Sequence, residues 1–566
     1  MLKRNRDATL AEAPPAKRTR PNQLDLLSSL SDEVILHILS FLPITSLSIC
    51  QRISHRFHVL AGDSALWKRK YYSRWVWPRF RRAQHLRESG LLANGVNFGQ
   101  RSSKWVGHEH LIENPQRTNW KKQYRLRHNW SKGLCRLTEV EVAQPLIPTV
   151  LVKLYKSVAF TADSSHGLRA WSTKDMKVCL ASIALHPVTN ADSEPAIPTA
   201  IAVGPYSITP NLFELAIGYE TGDISLYTFN PSTWRFSHHL SYSATSYGAI
   251  SALAFSSGYI LALSQNQTLS LFRLSSNLES QSGESTLAPL QLITSLKASN
   301  ILAPLSLSIR TSSSDVIAAV AYSFSQIGCG WSIGLQELRL NQQGDILGSR
   351  LATTIDSQFT EGPFNTLSDT EHLFKSHSTS ARPKAKGAVT AFLTPSLSYT
   401  RPPTSLSYSH PYLLASHADN TLTMYLVVST SRSLTIKTGG RLWGHTSSVS
   451  GVQVSDRGKA VSVSAQGDDI RIWELEDVVS THRTSRRPRQ SESSVQVNPE
   501  NIKTQQTLSK LDKRGQMRND DAKFIFEDVS HTLAKIRGVV GFDDEQVVVL
   551  REHDLGSQLL DCYDFT

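Results

Sequence analysis

Cysteine is scarce in this 566-residue sequence, and the five residues present, Cys50, Cys135, Cys179, Cys329 and Cys562, stand far apart. Such scatter fits a reducing compartment and excludes the closely spaced pairs of a zinc site. No apolar run approaches the roughly 20 residues that a helix needs to cross a bilayer, so a membrane is not among the expected partners. The opening MLKRNRDATLAEAPPAKRTR lacks the apolar centre of a secretory signal. Phosphate-cradling glycine loops, a metalloprotease helix and paired catalytic carboxylates are missing as well, and neither a metal nor a cofactor is expected. Gly330-Trp331-Ser332-Ile333-Gly334 matches the spacing of a nucleophile elbow, which requires a strand, a tight turn and a helix. Alternation continues through Leu335, Leu338 and Leu340, however, and predicts a plain strand there. His238-His239 has no cysteine or acid close in sequence, and reads as a pair of exposed strand-end residues rather than ligands.

What is present is a globular composition, 40% hydrophobic and 19% charged, with a net charge of +12 that is unevenly placed. Residues 1–133 carry 24 Lys+Arg against 9 Asp+Glu, or +15, which leaves 36 against 39, or −3, for the remainder. Two clusters contribute, Lys3-Arg4-Asn5-Arg6 and Lys17-Arg18-Thr19-Arg20, ten residues apart. Their spacing is similar to that of a bipartite nuclear import signal, and a nuclear location is expected; a merely solvated basic tail is the alternative.

From Leu24 to Trp67 the apolar period becomes helical. Ser31 stands where a helix cap belongs, with Asp32 and Glu33 in the first turn. Ile35, Ile38, Leu39 and Leu42 then share a stripe that Pro43 ends. Thr45 is a second candidate cap, before a helix carrying Leu47, Cys50, Ile53, Phe57 and Leu60, and the Gly62-Asp63 break leads to a third with Leu66 and Trp67. Leu30-Ser31-Asp32-Glu33, Ile38-Leu39, Leu42-Pro43, Leu47, Ile53, Arg56-Phe57, Leu60 and Leu66-Trp67 together resemble an F-box. The family opens with Leu-Pro; Ser31 keeps a capping side chain but not the rigid turn. The resemblance implies docking on the Skp adaptor of a cullin-scaffolded ubiquitin ligase, with Leu30, Leu42, Pro43, Leu47 and Ile53 as the adaptor-binding residues.

Between Lys68 and Gly133 basic residues alternate with aromatics, and six of the eleven tryptophans lie from Trp67 to Trp130. The pattern suits a helical linker, since Trp120, Tyr124 and Arg127 follow helical spacing, and competes with a single-stranded nucleic-acid platform. Asn129-Trp130-Ser131-Lys132-Gly133 resembles the junction by which F-box proteins enter a propeller.

Beyond Leu134 short strands of period two are expected almost to the end. Gly444 to Leu475 resembles a WD repeat: Gly444-His445 opens it, Asp456-Arg457-Gly458-Lys459 makes the turn, and Ile470, Ile472 and Trp473-Glu474 close it. In that family a His, a Ser or Thr, an Asp and the Trp form a buried hydrogen-bonded set. His445 and Trp473 match, whereas Asp468 sits one position off, which predicts an incomplete set. Weaker copies occur at 157–171, 215–227, 250–274, 316–340, 413–427 and 539–563, making seven. The expected fold class is thus α plus all-β: a basic tail (1–23), an F-box (24–67), a helical linker (68–133) and a seven-bladed β-propeller (134–566). Ser-rich loops at 275–284 and 356–386, and a disordered insertion at 485–520, would account for the irregular spacing. A β-sandwich array is the architectural alternative.

The function implied is a non-catalytic substrate receptor, the F-box tying Skp and cullin to a propeller that holds an unknown target protein. Arg441, just before Gly444, is the candidate target contact, because its planar fork can grip an anion at two points. The other reading is a nuclear scaffold or RNA-associated factor using the basic N-terminal quarter.

Overall fold

The computed structural model describes residues 27, 29–78, 118–143, 150–185, 197–205, 212–243, 248–274, 290–355, 401–476, 494–499 and 535–566, with short interruptions inside these spans. They fall into two compact units, one running up to Tyr124 and the other starting at Arg125. The import-signal residues Lys3, Arg4, Lys17, Arg18 and Arg20 lie outside the described residues, as do both Ser-rich loops.

The first unit has four short α-helices rather than the expected three: α1 (Asp32–Phe41), α2 (Ile44–Cys50), α3 (His55–Ala61) and α4 (Ser64–Tyr71). The Leu47-to-Leu60 stripe is split because Ser54 turns extended and its side chain accepts from Phe57 N, starting a fresh helix. Pro43, not Thr45, occupies the cap position of α2, and the Ser31 hydroxyl makes no cap hydrogen bond. The end of α1 is instead held by Lys70, whose ammonium donates to the Ser40 and Leu42 carbonyls at 2.8 Å each, a cation where the helix dipole favours one. After a single π-helical turn (Tyr72–Val76), α5 (Trp120–Lys132) contributes Trp120 and Tyr124 to this unit. The core therefore extends past Trp67, joining Ile35, Leu39, Leu47, Leu60 and Leu66 to Tyr71, Trp120 and Tyr124. The interleaved aromatics and cations serve this unit: Trp75 and Tyr124 lie 4.6 Å apart, and the Arg74 guanidinium sits 4.9 Å from the Trp75 ring.

The second unit is a ring of seven antiparallel sheets. In chain order the first six blades are built from the strands between Leu151 and Ile183, Pro198 and Tyr242, Ile250 and Lys297, Leu302 and Thr353, Ser405 and Trp443, and Val449 and Gln496. The seventh combines Lys535–Phe542, Gln546–Glu552 and Gln558–Asp564 with Leu134–Ala143 from the other end of the unit. Each expected repeat lands on a blade. Seven buried clusters fill the seven gaps between neighbours; Phe160 and Leu168 meet Leu215 and Phe229 in one, and Leu154 and Trp171 meet Val548 and Leu560 in another. Because every sheet is covered on both faces, its second strand is buried almost throughout, as in Val158–Asp163, Phe213–Tyr219 and Tyr259–Ser264. The third strands of five blades place an aromatic residue at the same register position, Trp171, Tyr227, Phe272, Tyr425 and Trp473, all buried.

The closing strand Leu134–Ala143 runs antiparallel to Gln558–Asp564, from Arg136 opposite Asp564 to Ala143 opposite Gln558. Its entry is fixed by the junction residues. Trp130 stacks on Phe565 with centroids 4.0 Å apart and donates from Nε1 to the Asp544 carbonyl at 2.8 Å. Asn129 Nδ2 donates to the Phe565 carbonyl at 2.8 Å. Gly133 has φ +70°, and a Cβ there would overlap the Gln496 carbonyl. The insertion expected to be disordered over 485–520 also needs correcting: Ser494–Gln496 and Asn498–Pro499 are strands, because Val495 and Val497 supply the alternation an edge needs. Trp130→Ala should cost about 3–5 kcal/mol in equilibrium denaturation of the propeller; a loss under about 1 kcal/mol would show that the junction does not hold the closing strand.

Candidate docking sites

On α1 two apolar stripes run side by side. Ile35 and Leu39 point into the unit's core, while Val34, Ile38 and Phe41, at i, i+4 and i+7, are exposed, Phe41 by 70%. Ile49, Ile53 and Val59 are exposed as well, Ile53 by 64%. Among the residues expected to dock, Pro43 and Ile53 are exposed, and Leu30 and Leu42 are half-buried against the core. Leu47 differs from expectation: it is fully buried, so it supports the module rather than offering surface. Arg56 fixes the approach to α1, donating from Nη2 to the Leu30 carbonyl at 2.6 Å and from Nε to Asp32 at 2.9 Å. Exposed as this pair is, its contribution to stability is about 0–1 kcal/mol; its effect is geometric. Val34, Ile38 and Phe41 were legible in the sequence as a second stripe beside the first, and Ile38 had been assigned to the wrong one.

In the sixth blade the hydrogen-bonded set is complete. Ser462 Oγ accepts from Trp473 Nε1 at 2.7 Å and lies 2.6 Å from His445 Nε2, while His445 Nδ1 lies 3.1 Å from the Asp469 carboxylate. Since the indole can only donate, the hydroxyl proton is available to Nε2, which leaves the ring proton on Nδ1 facing the acid. The acid is Asp469, and Asp468 lies outside the described residues. Burial opposes ionisation of Asp469, but hydrogen bonds from His445 and Arg471 outweigh it and hold the carboxyl below its usual range. Gly444 opens this strand approach beside the Trp473 ring. The first blade keeps half of the set, Trp171 Nε1 donating to Thr161 Oγ1 at 2.9 Å.

Arg441 is not on an open loop. It begins a short strand, Arg441–Trp443, that pairs with Thr421–Ser429; its Nε donates to Thr421 Oγ1 at 3.1 Å, it ion-pairs with Asp419, and it stacks over Trp443. Lys437 ends the preceding strand. Ser332 lies within the 12-residue strand Gly330–Asn341, paired along its length with Asp315–Gln326, so no elbow forms. His238 and His239 sit mid-strand in Arg235–Tyr242 rather than at its end, and His238 Nε2 lies 2.8 Å from Ser241 Oγ. Among the described residues no three His, Cys, Asp or Glu gather as metal ligands, and no helix is long and apolar enough to cross a membrane.

The family model described as F-box protein pof12 beta-propeller matches residues 135–566. The chain belongs to this family. A second model, F-box-like, matches residues 27–73, the span of α1 to α4. The F-box protein pof12 of Schizosaccharomyces pombe is 41% identical over 85 residues, a match covering 14% of this chain and 19% of that relative, so the match spans about a fifth of the relative's length. Solved structures share less sequence. BamB from Moraxella catarrhalis is 8% identical with a TM-score of 0.35, the alignment covering 75% of this chain and 100% of that one. The Cps50 (Swd1) propeller domain of Myceliophteria thermophila is 9% identical with a TM-score of 0.37, at 76% and 100% coverage.

Two charge-bearing groups inside this propeller make measurable predictions. Glu214, in the second blade, is 3% exposed with no hydrogen-bond partner for Oε2, and burial raises its carboxyl to about 7. Its pKa is higher folded than unfolded, so between about pH 4.5 and 7 the folded chain binds the extra proton and stability falls as pH rises. Glu214→Gln should match the parent near pH 4.5 and exceed it by on the order of 2–3 kcal/mol above pH 7.5, checked by denaturation at both pH values. Ser462→Ala should cost about 2–4 kcal/mol by stranding His445 Nε2 and Trp473 Nε1; an unchanged midpoint would mean that the set contributes nothing to the sixth blade.

Proposed function

We propose that the chain is a non-catalytic substrate receptor of a Skp–cullin–F-box ubiquitin ligase. The F-box unit binds Skp, and through it the cullin, while the propeller holds a target protein for ubiquitination. The observation that carries this reading is the exposed stripe of Val34, Ile38 and Phe41 on a helix whose other stripe already completes the unit's core. Apolar side chains in that arrangement are suited to a helical partner's groove. Pro43 and Ile53 extend the docking set, Leu30 and Leu42 position it from behind, and Leu47 keeps the helices together. Arg441 is not open for the target contact expected of it, because its guanidinium is already engaged by Asp419 and Thr421.

Exposed positions allow a clean test. Ile38→Asp with Phe41→Asp should leave the far-ultraviolet dichroism of the full chain intact and weaken Skp capture by at least about tenfold, the loss expected when central apolar contacts become charged. Undiminished, nuclease-insensitive recovery of Skp would overturn the receptor reading, and recovery of other proteins only with RNA would favour a nuclear scaffold. The basic clusters support a nuclear location: replacing Lys17, Arg18 and Arg20 with Ala, alone or with Lys3 and Arg4, should move a fluorescent fusion toward the cytoplasm. An unchanged distribution would reject the import signal.

A further inference from the structure

The outer strand of the sixth blade is short and leaves its own sheet. Ser494–Gln496 has three residues, against nine, eight, eight and eight in the outer strands of the first four blades and four in the fifth. It pairs antiparallel with the blade's third strand through Trp473–Ser494, Ile472–Val495 and Arg471–Gln496. Val497 N then donates to the Ile470 carbonyl at 2.9 Å, and the chain crosses to the seventh blade, where Asn498 and Pro499 run parallel to Leu134 and Cys135. Asn498 N donates to the Gly133 carbonyl at 2.8 Å. One six-residue segment thus bridges two blades beside the closing strand. Its anchor is Val497, 7% exposed among Leu126, Trp130, Cys135, Ile470 and Val547. From Ser480 to Asn501, Val495 and Val497 are the aliphatic residues of a polar sequence, and Pro499, lacking an N–H, ends the pairing.

We propose that Ser494–Pro499 is an exchangeable strap, and that the edge beneath it, formed by Ile470–Glu474 with Leu134 and Cys135, is a strand-acceptor site. The site takes an extended segment with valines two residues apart followed by Asn-Pro. Main-chain pairing supplies the attachment, and a pocket for alternate side chains supplies the selection. Gly133 is part of the site's design, since only the absent Cβ lets the incoming carbonyl at Gln496 approach. The strap is held in place by few pairs and by its covalent attachment, which raises its local concentration over any free competitor. The ring closes through pairs of its own, Leu134–Ala143 with Gln558–Asp564, in which the strap takes no part.

The test uses the full chain with protease sites introduced after Ser485 and Gly515, so that cutting leaves the strap bound without covalent attachment. The probe is a fluorescent peptide of residues 490–503. After cutting, excess peptide should displace the strap on gel filtration and bind saturably, while the uncut chain binds it far more weakly. A peptide with Val497→Asp should bind at least about tenfold less tightly, as a charge cannot enter the pocket. Three results would overturn the proposal: a cut chain that retains the strap against excess peptide, a propeller that loses its dichroism on cutting, or equal peptide binding by cut and uncut chains.

Discussion

The structure depends on one pairing, Leu134–Ala143 against Gln558–Asp564. A β-sheet of four strands cannot bury two apolar faces by itself, and an open row of such sheets would leave the first and last uncovered and their edges unpaired. Closing the row into a ring gives each sheet two neighbours, and the cost is ordering strands that lie more than 400 residues apart in sequence. The ring gains seven filled gaps in return. The cluster of Leu126, Trp130, Val461, Ile472, Val547, Tyr563 and Phe565 shows how closure is fastened, since residues entering the ring pack on those that complete it.

Buried charge follows the same geometry. Glu337, fully buried between the fourth and fifth blades, is met by Arg310 and Arg350 from its own blade and by the Ser429 hydroxyl from the next. Breaking such a cluster by removing one partner leaves an uncompensated charge, so it selects one packing of the two blades even where its net stabilisation is small. Asp561 in the seventh blade has Arg551 at 2.6 Å, yet burial still lifts its carboxyl to about 7. The F-box unit, with its small core, relies instead on aromatic edges and on Lys70 capping α1.

The repeats were legible because blade strands alternate in a simple way and because Trp171, Tyr227, Phe272, Tyr425 and Trp473 recur at one register position. Finer features were hidden for identifiable reasons. Apolar spacing runs unbroken from Leu47 to Leu60, so the stop at Ser54 was visible only as a capping side chain. The acid facing His445 was missed because a turn can deliver a carboxylate from more than one position, and Asp469 reaches where Asp468 was expected to fall short. Val495 and Val497 were lost in polar surroundings, since two valines are too few to mark a strand without a waiting edge. Arg441 was placed on a loop because nothing in the sequence shows that Asp419 and Thr421 stand opposite it.

The closing pair also sets an order of events during translation. The F-box unit has all its core residues once Tyr124 has left the ribosome. The strand Leu134–Ala143 emerges directly afterwards but must wait for Gln558–Asp564, an interval of roughly 20–90 s at ordinary elongation rates. For that time a nascent chain can already present the exposed Val34, Ile38 and Phe41 while its ring stands open. A product truncated before Gln558 would keep both properties permanently, an intact F-box and an unpaired β-edge in one chain, and so would join an aggregation hazard to an exposed apolar helix.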